Sequence, residues 1–236
     1  MDRDAEKPAN HFVAEPTPLR ITRAGIALAA IALWFISQSL LESRGFPEGI
    51  VDGVHIMLTP ATQWLANHGR AAAALLIVTS GLIDVLGCFL FISGIIGRSI
   101  RPMLGLMLLF ILRQASQLLI ALPPPAGMIW DYPGFPSLFV TYGTTNDFFF
   151  SGHTAIAVYG AIELARFRRP WLTLAATGVA AIEALTVLVL RAHYTMDVFA
   201  AILAAVFAAR IAVSFAPSCD RLLASRHAKG PVIAQG

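Results

Sequence analysis

Charge is scarce in this 236-residue chain: Asp, Glu, Lys and Arg together make up 13% of it, about half the share in an ordinary soluble domain. Hydrophobic residues reach 57% and gather in several long runs. That pairing excludes an ordinary soluble enzyme and leaves a polytopic membrane protein with no room for a separate soluble domain. Cysteine is nearly missing as well. Cys88 in an apolar run and Cys219 near the C-terminal end are too few for a disulfide framework or a zinc site. No His/Cys/carboxylate cluster occurs at metal-ligand spacing, so neither a metal nor a cofactor is expected. The net charge of +3 comes from basic residues at the ends of apolar runs and implies no nucleic-acid partner. There is no internal repeat or low-complexity segment, which argues against a transporter built from inverted halves. The mixed acids and bases before the first apolar run contain no clear cleavage site, so a retained first helix is expected rather than a signal peptide.

What is present reads as an all-α bundle of six transmembrane helices. Spans are expected at 24–41, 71–97, 102–122, from about 151 to 164, 171–190 and 193–215, since about 20 apolar residues cross a bilayer. They form a catalytic membrane domain at 24–215, between an N-terminal arm at 1–23 and a polar tail at 216–236. Residues 42–70 are too polar to cross whole, and 51–65 are expected to lie along the interface. Residues 123–147 form a loop rich in proline and aromatic residues. One side of this layout collects Arg3, Lys7, Arg20, Arg23, Arg98, Arg101, Arg166, Arg168, Arg169, Arg210, Arg221, Arg226 and Lys229. The other side has Arg44, Arg70 and Arg191, and Arg113 lies within a span. The positive-inside rule then puts both termini in the cytoplasm and the loop after the third span outside. A reporter fused after Gly236 should be cytoplasmic and one inserted near Ser137 extracytoplasmic; the reverse result would overturn this orientation.

Two polar islands interrupt the apolar pattern. The first is Asp147-Phe148-Phe149-Phe150-Ser151-Gly152-His153-Thr154; the second is His193-Tyr194-Thr195-Met196-Asp197-Val198. Forty positions separate His153 from His193, enough for one crossing and one return, so both histidines should meet at one membrane face. His193 and Asp197 stand i, i+4, one helical turn apart. A carboxylate on one imidazole nitrogen selects the tautomer and leaves the other nitrogen as nucleophile or base. Ser151-Gly152 sits at a helix start, where free N–H groups and the positive dipole end suit a phosphate. These parts suit phosphoryl transfer, one histidine attacking phosphorus and the other moving a proton at the departing oxygen. Taken singly, either island is as well explained by a polar cap at the interface.

The islands resemble two active-site motifs of the sphingomyelin synthase family, a branch of the type-2 phosphatidic acid phosphatase superfamily. That family shows C-G-D-x-x-x-S-G-H-T and, about forty residues on, H-Y-x-x-D-V. A third motif, R-x8-L-P-x-P, is matched by Arg113, Leu122, Pro123 and Pro125. The resemblance implies metal-independent transfer of a phospho-head group, of the phosphocholine or phosphoethanolamine type, from a phospholipid donor to a lipid alcohol such as ceramide or diacylglycerol. It makes His193 the nucleophile, Asp197 its orienting carboxylate and His153 the acid/base. Asp147, Ser151, Gly152 and Arg113 become substrate-binding residues. Thr145-Asn146 replaces the motif's Cys-Gly, and Ala121 stands where Thr often precedes Leu-Pro. The phosphatase branch, which uses water as acceptor, usually has Lys-x6-Arg-Pro and an Arg six residues before the second His. Here no Lys stands seven positions ahead of Arg101-Pro102, and the second place holds Val187. The transferase branch is the better match, with a phosphatase the alternative and a transporter or scaffold the third reading.

The remaining polar residues have simpler readings. Arg113 is intramembrane and a functional candidate by default. Asp84 and Glu183 are read as its candidate ion-pair partners, and Glu163 as a partner of Arg166 at i+3. Trp130, Tyr132, Tyr142 and Phe148–Phe150 fit an interfacial aromatic belt, or less simply a cage for a choline ammonium. His55 and His68 are read as solvated loop residues.

Overall fold

The computed structural model describes residues 49–140, 142 and 149–228, with scattered helical positions between 25 and 39. All its regular structure is helical, with no strand among the described residues. The chain divides into two compact units, Met1–Val51 and Asp52–Gly236. In the first, the described positions of the run at 24–41 are helical. The expected arm at 1–23 lies outside the described residues.

The second unit holds α1 (Gly53–Asn67), α2 (Gly69–Ile96), α3 (Arg101–Leu119), α4 (Gly152–Ala165), α5 (Pro170–Val189) and α6 (Thr195–Ala228). Four of these, α2, α3, α5 and α6, are long and apolar enough to cross a membrane. The expected fourth span is different. With 14 residues, α4 extends about 21 Å, short of a hydrocarbon core of about 30 Å. It packs against α2, α3, α5 and α6. A helix walled by protein on most sides need not reach either headgroup layer, and its core positions from Thr154 to Ala157 are almost fully buried.

Close packing around α4 depends on small residues. The Tyr159 ring occupies the space where a side chain at Gly105 of α3 would stand, and its hydroxyl donates to the Arg101 carbonyl at 3.0 Å. Glu163, 2% exposed, accepts from both Arg101 (Nη2, 2.9 Å) and Arg166 (Nε, 3.0 Å). The expected i+3 pair therefore forms, and a second arginine from α3 joins it.

The last helix runs past residue 215 through Pro217 to Ala228. No glycine follows until Gly230, so polarity alone does not stop it. The Asp220 carboxylate accepts from the Ile100 N–H at 2.9 Å, fastening the extension to the link before α3.

Asp84 is not aimed at Arg113. It accepts from the Ser137 hydroxyl at 2.8 Å and from the Leu138 and Phe139 N–H groups at 3.0 Å, pinning the loop after α3 to α2. Asp84→Ala should cost roughly 2–3 kcal/mol, seen as a lower Tm of the detergent-purified protein, with Asp84→Asn in between. Glu183 is not Arg113's partner either: it is fully buried, and neither carboxylate oxygen has a hydrogen-bond partner among the described residues.

Candidate active site

The first motif builds the start of α4. Ser151 has extended backbone and caps the helix, its Oγ accepting from the Thr154 N–H at 3.3 Å and the Thr154 hydroxyl at 3.1 Å. Helix N-termini favour such a cap because their first N–H groups have no intrahelical partner. Arg113 reaches this point from α3, its Nε donating to the Phe150 carbonyl at 3.0 Å. A Cβ on Gly152 would come within 3.1 Å of the same Nε. Glycine therefore leaves room for a guanidinium directly beside the positive end of α4. Arg113, remote in sequence from Ser151 and Gly152, shares one place with them.

The second motif is a tight turn between α5 and α6. The Val187 carbonyl accepts from Ala192 N at 2.8 Å and His193 N at 3.3 Å. Asp197 Oδ2 accepts from Tyr194 N at 2.9 Å and lies 3.6 Å from His193 Nδ1. That last separation is slightly long for a hydrogen bond, and catalytic contacts of this kind commonly tighten only with substrate in place. The two motifs touch through the backbone: Ser151 N–H donates to the Asp197 carbonyl at 3.3 Å. His153 stands two residues beyond this contact, in the first turn of α4. It is 8% exposed, and its Nε2 has no hydrogen-bond partner among the described residues. Asp147 lies outside the described residues.

Two residues were not expected here. His55, read as a solvated loop residue, is 7% exposed in α1, and its Nε2 lies 3.0 Å from the His193 carbonyl. Asp52 caps α1, accepting from Val54 N and His55 N. Its other contacts are to the second motif: Thr195 N at 2.6 Å and Thr195 Oγ1 at 2.7 Å. Burial pushes the Asp52 carboxyl up, but the Thr195 and His55 hydrogen bonds prevail and hold it below its ordinary value. Thr62 donates to the Val189 carbonyl at 2.7 Å, and Arg191 donates to Thr59 Oγ1 at 3.0 Å. The segment expected along the interface is thus a helix clamped onto the turn that carries His193. An Asp-Gly helix start was readable at 52–53; its distant partners were not. His68 is exposed and stacks on Trp64 at 4.4 Å.

The loop after α3 closes over this end of the bundle. Ile129 N donates to the Leu190 carbonyl at 2.8 Å, and the Tyr194 hydroxyl donates to the Pro123 carbonyl at 3.2 Å. Trp130 stands edge-on to His153, with ring centres 5.1 Å apart, and packs beside Tyr142 at 5.6 Å. Tyr142 meets Ser80 Oγ at 2.6 Å, whereas Tyr132 is 61% exposed. Trp130 and Tyr142 therefore face the interior, and of the expected belt residues that are described only Tyr132 has a belt residue's exposure; Phe148 lies outside the described residues.

A membrane bundle with a recessed helix start, an arginine and two nearby imidazoles defines an integral membrane protein with a buried polar centre. The AtPDCT1/2 family model matches residues 53–214, from the start of α1 to within α6. The chain belongs to this family, a plant family related to the sphingomyelin synthases and named for phosphatidylcholine:diacylglycerol cholinephosphotransferase. The motif resemblance thus stands at the level of a related lipid phosphotransferase family. No curated protein and no solved structure matches the chain.

Proposed function

We propose that this protein moves phosphocholine from a glycerophospholipid to a lipid alcohol, with diacylglycerol the first acceptor to test. The observation that carries this reading is the meeting of the Ser151–His153 and His193–Asp197 motifs beside Arg113. The family supplies the head-group class.

In the first half-reaction, His193 Nε2 attacks phosphorus while Asp197 stabilises the charge through Nδ1. The P–O bond to the donor's glycerol oxygen breaks, and His153 gives that oxygen its proton. In the second, His153 takes the proton from the acceptor hydroxyl, whose oxygen attacks phosphorus and breaks the P–N bond to His193. Both enzyme groups end as they began. Arg113 and the α4 N-terminus stabilise the phosphoryl oxygens. Ser151 contributes by capping that helix start, and Asp147 remains a proposed substrate contact. Trp130 and Tyr142 offer aromatic faces to a quaternary ammonium next to His153. We place this site on the extracytoplasmic side of the bundle, following the charge bias.

Purified protein should be given choline-labelled phosphatidylcholine with diacylglycerol of different acyl chains, ceramide or no acceptor, and phosphatidylethanolamine in parallel. Label appearing in a new lipid only when an alcohol is supplied supports the proposal. Phosphate released from phosphatidic acid without any acceptor would instead establish the phosphatase alternative.

A further inference from the structure

The charges at the far end of α4 are not used by this chemistry. Arg166 is 13 residues from His153, and Arg210 is 15 residues from Thr195. At about 1.5 Å per residue, both guanidinium-bearing positions lie about 20 Å along their helices from the histidines. That distance brings them towards the opposite headgroup layer.

A cavity of about 490 Å³ lies between α4 and α6, lined by Ile162, Arg166, Val206, Ala209, Arg210 and Val213. Two of its six lining residues are arginines, and none is acidic. Arg166 spends its Nε on Glu163, which Arg101 also engages, so the three-residue cluster keeps one net positive charge. Arg210 has no ion-pair partner among the described residues, and its side chain is exposed. The remaining lining is aliphatic, and Val206 and Val213 are 43% and 42% exposed, so the groove opens sideways toward lipid. A free anion would find charge here but no use for the aliphatic wall. An uncharged lipid would fit the wall but leave two guanidinium groups unanswered.

We infer that this groove binds an anionic phospholipid, its phosphate on Arg166 and Arg210 and an acyl chain along Ile162, Val206 and Val213. Its occupant rests in the leaflet remote from the histidines and is not the transferred substrate. Because α4 carries His153 and α6 carries Asp197, the lipid braces the two helices that hold the catalytic pair.

The full-length protein, purified from mixed phosphatidylglycerol–phosphatidylcholine membranes of matched chains, is examined by native mass spectrometry for retained lipid. Wild type should retain phosphatidylglycerol in preference to phosphatidylcholine, and inorganic phosphate should not displace it. Arg210→Gln, at an exposed position, should lower the preference about fivefold, the effect of one cation near an anionic lipid. Equal retention of the two lipids by wild type, or an unchanged preference in Arg210→Gln, would overturn the inference. Displacement by inorganic phosphate would too, since it would mark a site for anions in general. None of these outcomes depends on head-group transfer, so the inference and the proposed activity can fail separately.

Discussion

His193→Ala is expected to abolish turnover with every donor, whereas His153→Ala should retain cleavage of an activated one. The nucleophile has no substitute: without an imidazole at 193 no P–N bond can form. A general acid typically contributes about 10²–10⁴-fold, and least when the leaving group needs no proton. With a nitrophenyl ester of phosphocholine, His153→Ala should release nitrophenol and trap phosphorus label on the protein, because nothing then deprotonates the acceptor alcohol. His193→Ala should do neither. Equal loss in both variants with the activated donor, or label trapped on His193→Ala, would remove the separate roles and leave both histidines as lining residues only.

The second large effect is expected from Asp52, which touches no substrate in this account. Asp52→Ala removes the two contacts to Thr195 and the cap of α1 together. Hydrogen bonds to a charged acceptor contribute about 1.5–3 kcal/mol each. Loss of registration of about 1 Å at a catalytic group can cost about 10²-fold. We expect kcat to fall about 10²-fold with KM little changed, and Asp52→Asn to restore part of it by accepting from Thr195 N. A KM rise at constant kcat would instead make Asp52 a binding residue. The carboxyl is held below its ordinary value in the folded protein. Its contribution to stability is therefore complete above the ordinary value of 3.8 and is lost as pH falls through the lower folded value. Wild type should accordingly lose stability on acidification through that window, and Asp52→Asn should lose less there.

The long apolar helices were legible because composition alone marks them. Expected limits of 71–97 and 171–190 differ by only one or two residues from Gly69–Ile96 and Pro170–Val189. The shortness of α4 was not legible, because an apolar run looks the same whether lipid or protein surrounds it. Nor was the continuation of α6, which is secured by Asp220 on Ile100, a contact 120 residues apart. At the site, the approach of His193 to Asp197 was legible from their spacing because both residues belong to one local turn. Arg113 entered through a motif match, and its place beside Gly152 follows from packing between α3 and α4. Asp52 and His55 carried no motif. Their roles come from contacts spanning 143 and 138 positions, which no local pattern encodes.

The central claim is that transfer proceeds in two displacements through His193, and the stereochemical course at phosphorus tests it most directly. A phosphorothioate analogue of phosphatidylcholine, of one configuration at phosphorus, is supplied with diacylglycerol of different acyl chains, and the product's configuration is read by phosphorus NMR. Each in-line displacement inverts phosphorus, so two in succession give net retention, which is the predicted result. Net inversion would mean that the acceptor attacks the donor directly, with His193 serving as something other than the nucleophile.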